Sequence, residues 1–363
     1  MGDMLTTPTV IVDEEILDRN IESMAASMRD RDVALRPHVK THKTVEIARK
    51  QVDAGACGLT VATIGEAEVF SAAGFDDLFI AYPLWLTRTA AGRLVRLVVG
   101  EGARISFGVD SVAGAEHAAA LLGEYAGSFG ALIELDSGHH RSGALPEEVV
   151  GIARAAADAG LLVRGVFTFP GHSYAEGAGE QAADDEAQVL REASDSLTEA
   201  GFDDLERSGG STPSVLLSDG TELTEARPGV YVFGDAQQWE LGGIDASDIA
   251  LSVLATVVSR HDGPEHRRVI LDSGSKILGA DRPAWASGFG RLLDYPDAWV
   301  SALSEHHATV VFPDDAPLPV LGSRIRVVPN HVCQVMNLVD RVAVTREGLV
   351  VGRWRVAARG QNS

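Results

Sequence analysis

The sequence predicts an α/β protein: a (β/α)8 TIM barrel followed by a β-rich domain. Two observations carry this. From about Val33 to Phe233, short apolar runs alternate with amphipathic stretches of helical period. After about Leu241 the helical stretches thin out and alternating or continuously apolar runs dominate. A third supports them, because 363 residues exceed an ordinary single core but suit a barrel with an appended domain. A doubly wound sheet shares the alternation and is the alternative.

Taken in order, Thr9–Val12 reads as an opening strand and Glu14–Met28 as a helix. The barrel strands are then Val33–Leu35, Gly58–Val61, Leu78–Ala81, Arg104–Val109, Ala131–Leu135, Leu162–Phe167, a weak one before Ser208 and one near Tyr231. Between them lie helical segments such as Thr44–Asp53, Ile64–Ala73, Pro146–Ala157 and a long one around Asp184–Ala200. Further strands are expected at Ile249–Ser259, Arg268–Leu271, Thr309–Phe312, Arg324–Val328 and Leu349–Val356. The domains are accordingly placed at 13–241 and 242–363, with residues 1–12 pairing into the second.

Composition narrows the class. The formal net charge of −21 argues against nucleic acid and anionic membrane as partners. No apolar run approaches the roughly 20 residues of a membrane span. The N-terminus lacks the basic and apolar regions of a signal peptide, and the two cysteines, Cys57 and Cys333, make no disulfide framework. A cytoplasmic enzyme is expected.

Chemistry concentrates where barrels keep it, at the carboxyl ends of strands. Arg36-Pro37-His38-Val39-Lys40-Thr41-His42-Lys43 follows the first strand, and Pro37 ends regular pairing. Crowded cations are costly to bury, and a desolvated lysine condenses with an aldehyde. A solvated basic turn is the alternative. Glu134–Gly143, containing Arg141, follows the fifth strand, and Phe169–Tyr174, with His172 and Tyr174, follows the sixth. Arg141 offers a planar fork to an anionic oxygen or to a surface ion pair. The Ser208-Gly209-Gly210-Ser211-Thr212-Pro213 loop after the seventh strand combines backbone N–H groups with hydroxyls, a cradle suited to phosphate. A plain glycine-rich turn is its alternative. Near the C-terminus, His331 and Cys333 stand two residues apart, on one face if the segment is extended. Imidazole and thiolate suit Zn2+, although a buried free cysteine is the plainer reading of these residues alone.

Arg36–Lys43, Gly55–Glu68, Ala81-Tyr82-Pro83, Asp136–Gly143, Ser208–Pro213, Arg227-Pro228-Gly229, Ser304-Glu305-His306 and Pro329–Cys333 together resemble the D-threonine aldolase and D-serine dehydratase family. The resemblance implies the alanine-racemase-like fold, a barrel binding pyridoxal 5′-phosphate (PLP) with a β domain behind it. It implies that Lys40, and not Lys43, is the Schiff-base lysine. By the same resemblance Ser208, Gly209, Gly210, Ser211 and Thr212 hold the phosphate, with Tyr231 lining that pocket. Arg141 then faces the cofactor ring with Tyr174 beside it, and His331 and Cys333 bind a divalent metal. Zn2+ suits a His/Cys pair, while Mn2+ would favour harder oxygen ligands. The family pairs histidine with aspartate in most aldolases and with cysteine in dehydratases, so Cys333 points to D-serine dehydratase-type elimination. D-threonine aldolase-type cleavage is the alternative, with racemisation and PLP carriage behind it. Where the family usually reads Glu-His-Gly, this chain has Glu305-His306-His307. A homodimer acting on a small D-amino acid is expected by analogy.

Overall fold

The computed structural model describes residues 5–218, 220–263 and 267–363. The chain divides into two compact units. One comprises Ser23–Lys40, Ile47–Gly229 and Gly360–Ser363; the other takes the segment ending at Glu22, Thr41–Glu46 and Val230–Arg359. The second unit therefore takes up the chain at Val230, ahead of the change expected near Leu241. Among the described residues no helix is long and apolar enough to cross a membrane.

Strand β1 (Thr9–Asp13) belongs to the second unit. The first unit holds β2 (Ala34–Leu35), β3 (Leu59–Val61), β4 (Asp77–Pro83), β5 (Arg104–Val109), β6 (Phe129–Leu135), β7 (Leu162–Thr168), β8 (Glu206–Gly209) and β9 (Glu225–Ala226). All pair in parallel, in the order β2-β9-β8-β7-β6-β5-β4-β3. Helices alternate with them, and polar caps set where several begin. Thr63, Thr87 and Ser111 accept from the N–H groups of Glu66, Ala90 and Gly114, satisfying donors that a helix start leaves open. All seven residues of β6 are buried, as a strand covered on both faces requires. Inside the sheet, Phe79, Leu132 and Phe167 pack together, the two phenylalanine rings edge to face at 5.0 Å.

The barrel expectation needs correction at its seam. Among the described residues no ladder joins β2 to β3; an isolated parallel bridge, His38 to Thr60, stands there. Two hydrogen bonds flank it, Cys57 N–H to Leu35 O and Thr60 N–H to Pro37 O, each 2.9 Å. Pro37 has no N–H to give, and the chain turns at once into the 3-10 segment Val39–Thr41, so two-residue β2 cannot extend. The result is an open, barrel-like eight-stranded sheet rather than a fully closed TIM barrel. The eighth strand also lies earlier than expected, at Glu225–Ala226, because Pro228 follows it closely; Tyr231 sits in a 3-10 turn, Val230–Val232.

In the second unit come β10 (Leu251–His261), β11 (Arg268–Leu271), β12 (Gly290–Leu292), β13 (Trp299–Leu303), β14 (Ala308–Val311), β15 (Arg324–Pro329), β16 (Arg341–Arg346) and β17 (Leu349–Arg355). The long β10 pairs with both β11 and β15, which closes β10-β11-β14-β13-β12-β15 into an antiparallel barrel. On the other side β1 lies between β10, antiparallel, and β16, parallel. Leu5, Ile11, Leu254 and Ala343 form the core beneath this junction, and Ala236, Ile249 and Val328 form another.

Candidate active site

In the barrel unit the side chains following β2, β6 and β7 gather around one ring, Phe169. Lys40, half-buried in the 3-10 turn after β2, places its Nζ 5.6 Å from the Phe169 centroid. The Arg141 guanidinium carbon lies 5.2 Å from the same centroid. Tyr174 meets the ring tilted at 6.3 Å and His139 meets it edge-on at 5.7 Å. Arg141 is half exposed, with a carboxylate oxygen of buried Glu134 3.7 Å away. Phe169 lies in one of the expected loops, but nothing in its sequence neighbours singles it out as the hub.

The loop presenting Arg141 is built by Asp136. Its Oδ1 accepts from the N–H of Gly138 and of His140, at 2.9 and 3.0 Å, and its Oδ2 pairs with His140 Nδ1 at 2.8 Å. Burial works against the Asp136 carboxylate, but these His140 and Gly138 contacts outweigh it and hold its pKa below the usual range. Main-chain bonds from Asp136 N–H to Ala144 O and from Ala144 N–H to Glu134 O close the loop at its base.

The Ser208–Thr212 loop holds its own polar groups more tightly than the sequence suggested. The Ser208 hydroxyl donates to Glu225 Oε1 at 2.7 Å and accepts from Arg227 Nε at 2.8 Å. Gly210 N–H donates to Glu186 Oε1 at 2.7 Å, and Ser211 N–H to Ser214 Oγ at 3.2 Å. Gly209 is required by packing, since a Cβ there would fall 2.4 Å from Glu186 Oε1. A chain of buried hydroxyls, Ser173–Ser211–Ser214, links the loop to the turn carrying Tyr174, each step 2.8 Å. Two further buried groups shape this region. Arg227, fully buried, donates also to Thr168 O and lies over the Phe79 and Phe167 rings. Glu186 is buried with its Oε2 lacking a hydrogen-bond partner, and burial pushes its carboxyl up to about 7 against the pull of Gly210 N–H and Arg227.

The second unit assembles the His331–Cys333 pair. The segment is not extended as expected: His331 is the residue before a helix, Val332–Leu338, and Cys333 is the second residue of that helix. The two side chains nevertheless hydrogen-bond to each other. His331 Nδ1 also meets Asp281 Oδ2 at 2.7 Å. The Cys333 sulfur first, opposed by burial, and then the Asp281 carboxylate hold the His331 imidazole well above its ordinary pKa. Cys333 also reaches the hydroxyl of Thr41, the residue after Lys40, at 3.5 Å. Lys43 serves elsewhere. Buried and in a left-handed conformation, it donates from Nζ to Asn337 Oδ1 at 3.0 Å. Tyr231 is buried in its turn, while His306 and His307 are exposed.

These residues fit both groups. A half-buried lysine amine and a guanidinium share one aromatic ring in the same unit as a hydroxyl-rich loop, which suits PLP. The imidazole–thiol pair suits a divalent metal that keeps open positions for other ligands. Among the described residues no group of three or more His, Cys, Asp or Glu side chains is gathered for a closed metal site.

The family model described as alanine racemase, N-terminal domain, matches residues 12–237, and a putative serine dehydratase domain model matches 250–345. D-threo-3-hydroxyaspartate dehydratase of Delftia sp. strain HT23 is 35% identical over 352 residues, covering 91% of each chain. Its solved structure superposes with a TM-score of 0.88 over 97% of both chains, at 32% identity. That enzyme has also been solved with a histidine replaced by alanine, and, in a metal-free form, with a cysteine two positions further on replaced. D-threonine aldolase of Arthrobacter sp. is 31% identical over 366 residues, covering 98% of this chain and 93% of its own. The chain is thus a PLP-dependent enzyme of the alanine-racemase fold and belongs to the family of D-threonine aldolases, D-serine dehydratases and D-hydroxyaspartate dehydratases.

Proposed function

We propose that the protein is a PLP- and Zn2+-dependent lyase that removes water from β-hydroxy D-amino acids, releasing an oxo acid and ammonia as D-serine dehydratases do. The observation that carries this is the cysteine two residues after His331, hydrogen-bonded to it. Thiolate and imidazole together favour Zn2+ over Mn2+. The dehydratase relative, whose metal-free form carries an alanine in place of a cysteine, supports the same reading.

Each residue then has a part in the reaction. PLP, when bound, supplies the electron sink for charge developing at the substrate Cα, and the metal supplies Lewis-acid polarisation of the β-hydroxyl. Lys40 holds the cofactor and its Nζ takes the α-proton. Arg141, beside the same Phe169 ring as Lys40, steadies an anionic oxygen. The Ser208–Thr212 loop takes the phosphate, with the Ser208 and Ser211 hydroxyls and the N–H groups of Gly210 and Ser211 already bonded within the protein. Ser208, Gly209 and Gly210 shape the loop, Tyr174 serves the cofactor ring, and Tyr231 is assigned to the phosphate, as the family resemblance implies. His331 and Cys333 hold the metal. The working species is a homodimer.

Product analysis of the purified holoenzyme with D-serine, D-threonine and D-threo-3-hydroxyaspartate tests this, with Lys40→Ala as the blank. Oxo acid with ammonia is expected, lost on chelation and regained with Zn2+. Glycine with acetaldehyde from D-threonine would overturn dehydration and make the protein an aldolase.

A further inference from the structure

We propose that Asp281 is a positioning residue for the metal pair, holding His331 by Nδ1 so that its other ring nitrogen is presented to the ion. This rests on the reading that His331 and Cys333 bind a metal. Neutral imidazole exists as two tautomers, and only the nitrogen without a proton ligates. Asp281 Oδ2, 2.7 Å from His331 Nδ1, places the proton there and leaves the Nε2 lone pair for the ion. The ring is fixed in rotation by the same contact.

Asp281 is itself tethered on both sides of His331. Asn330 Nδ2, one residue before the histidine, donates to the Asp281 carbonyl at 3.0 Å and to Gly288 O at 2.7 Å. Gln334, three residues after it, accepts from the N–H of Ala280 at 3.2 Å. The strip carrying the carboxylate and the strip carrying both ligands are thereby locked in register. Asp235, fully buried, adds a bond from Val332 N–H to its Oδ2 at 3.4 Å and so holds the turn between the two ligands. A surface ion pair made for stability alone would have no need of further bonds from Asn330, Val332 and Gln334 around the single Asp281–His331 contact.

The test measures Zn2+ affinity of the PLP-loaded, metal-stripped protein by competition with a chromophoric chelator. Wild type, His331→Ala, Asp281→Ala and Asp281→Asn are compared, with circular dichroism and the cofactor's visible band as checks of fold. His331→Ala should abolish binding. Asp281→Ala should weaken it by about 10–100-fold, the range seen when an outer partner of a ligating histidine is removed. Asp281→Asn should weaken it less, because its amide oxygen still accepts the Nδ1 proton. The Co2+-loaded Asp281→Ala protein should keep its thiolate charge-transfer band while its d–d bands move. Should Asp281→Ala fail to fold, wild-type affinity in Asp281→Asn overturns the proposal. Wild-type affinity in both variants, with His331→Ala inactive in binding, overturns it as well. Absence of Zn2+ binding by the wild type would instead overturn the metal reading, and this inference with it.

Discussion

Glu186 carries an ionisable carboxyl into a place with a single donor. Oε1 takes Gly210 N–H, Oε2 has no hydrogen-bond partner, and the side chain is fully buried. Folded, it titrates at about 7 rather than its ordinary 4.5, so the folded state keeps a proton that the unfolded chain releases between those values. The stability this contributes is present below about pH 4.5 and is lost as pH rises through about 7. The full effect is about 3 kcal/mol. Glu186→Gln keeps the acceptor for Gly210 and removes the ionisation. Thermal melts should show its Tm, relative to wild type, rising between about pH 5 and pH 8; a constant difference would mean that the wild-type carboxyl ionises without penalty. The misplaced polarity is legible in the sequence, since Glu186 interrupts a buried stripe of Ala182, Ala183, Leu190, Ala193 and Leu197 at helical spacing. Lys40 is legible for a related reason, as one of several cations crowded at a strand end. Asp281 is not, because 50 residues separate it from His331 and no local pattern joins them.

At the scale of elements, the Asp136–Gly143 loop shows how a site residue depends on a residue with no side chain. Gly143 has φ +108°, and a Cβ there would fall 2.5 Å from the Asp136 amide nitrogen. Gly143→Ala therefore meets both an unfavourable conformation, about 1–3 kcal/mol, and a backbone clash that pushes on the loop bearing Arg141. A Tm lower by several degrees and weaker PLP binding, read by titrating the visible band, are expected. Unchanged values for both would mean that the loop adapts without moving Arg141. Sequence and structure agree on elements where local pattern decides. Arg104–Val109 matches its expected strand, and most other barrel strands and helices agree to within a few residues. They part where a short segment obeys two patterns. Val332, Val335 and Met336 recur at helical spacing, yet a seven-residue run so close behind Pro329 reads equally as extended chain.

Across the whole molecule, the two sheets differ in how chain order becomes spatial order. In β2–β9 most successive strands are neighbours, so alternation in sequence translates directly into the parallel sheet. In the second unit, β12, β13 and β16 escape the sequence reading, because each strand is short or weakly patterned and several of their partners lie far along the chain. There β1 is an interior strand, with Val10, Ile11 and Val12 buried between β10 and β16. A chain lacking residues 1–13 should lose both ladders at once and detach the β16–β17 hairpin. We expect it to be insoluble or to show exchange of the β16 and β17 amides, measured by hydrogen–deuterium exchange, far above the wild type. Native protection in that hairpin would show that β1 is dispensable.

The same strand sets a schedule for biosynthesis. Val12 accepts from Thr345, 333 residues further on. At about 5–20 residues per second the ribosome needs roughly 20–70 s to make that interval. Over that interval β1 waits for β10 on one edge, and its other edge stays open until β16 is made. The β-rich unit therefore cannot close while translation is under way through the barrel, and the nascent N-terminal segment is a natural client for a holding chaperone.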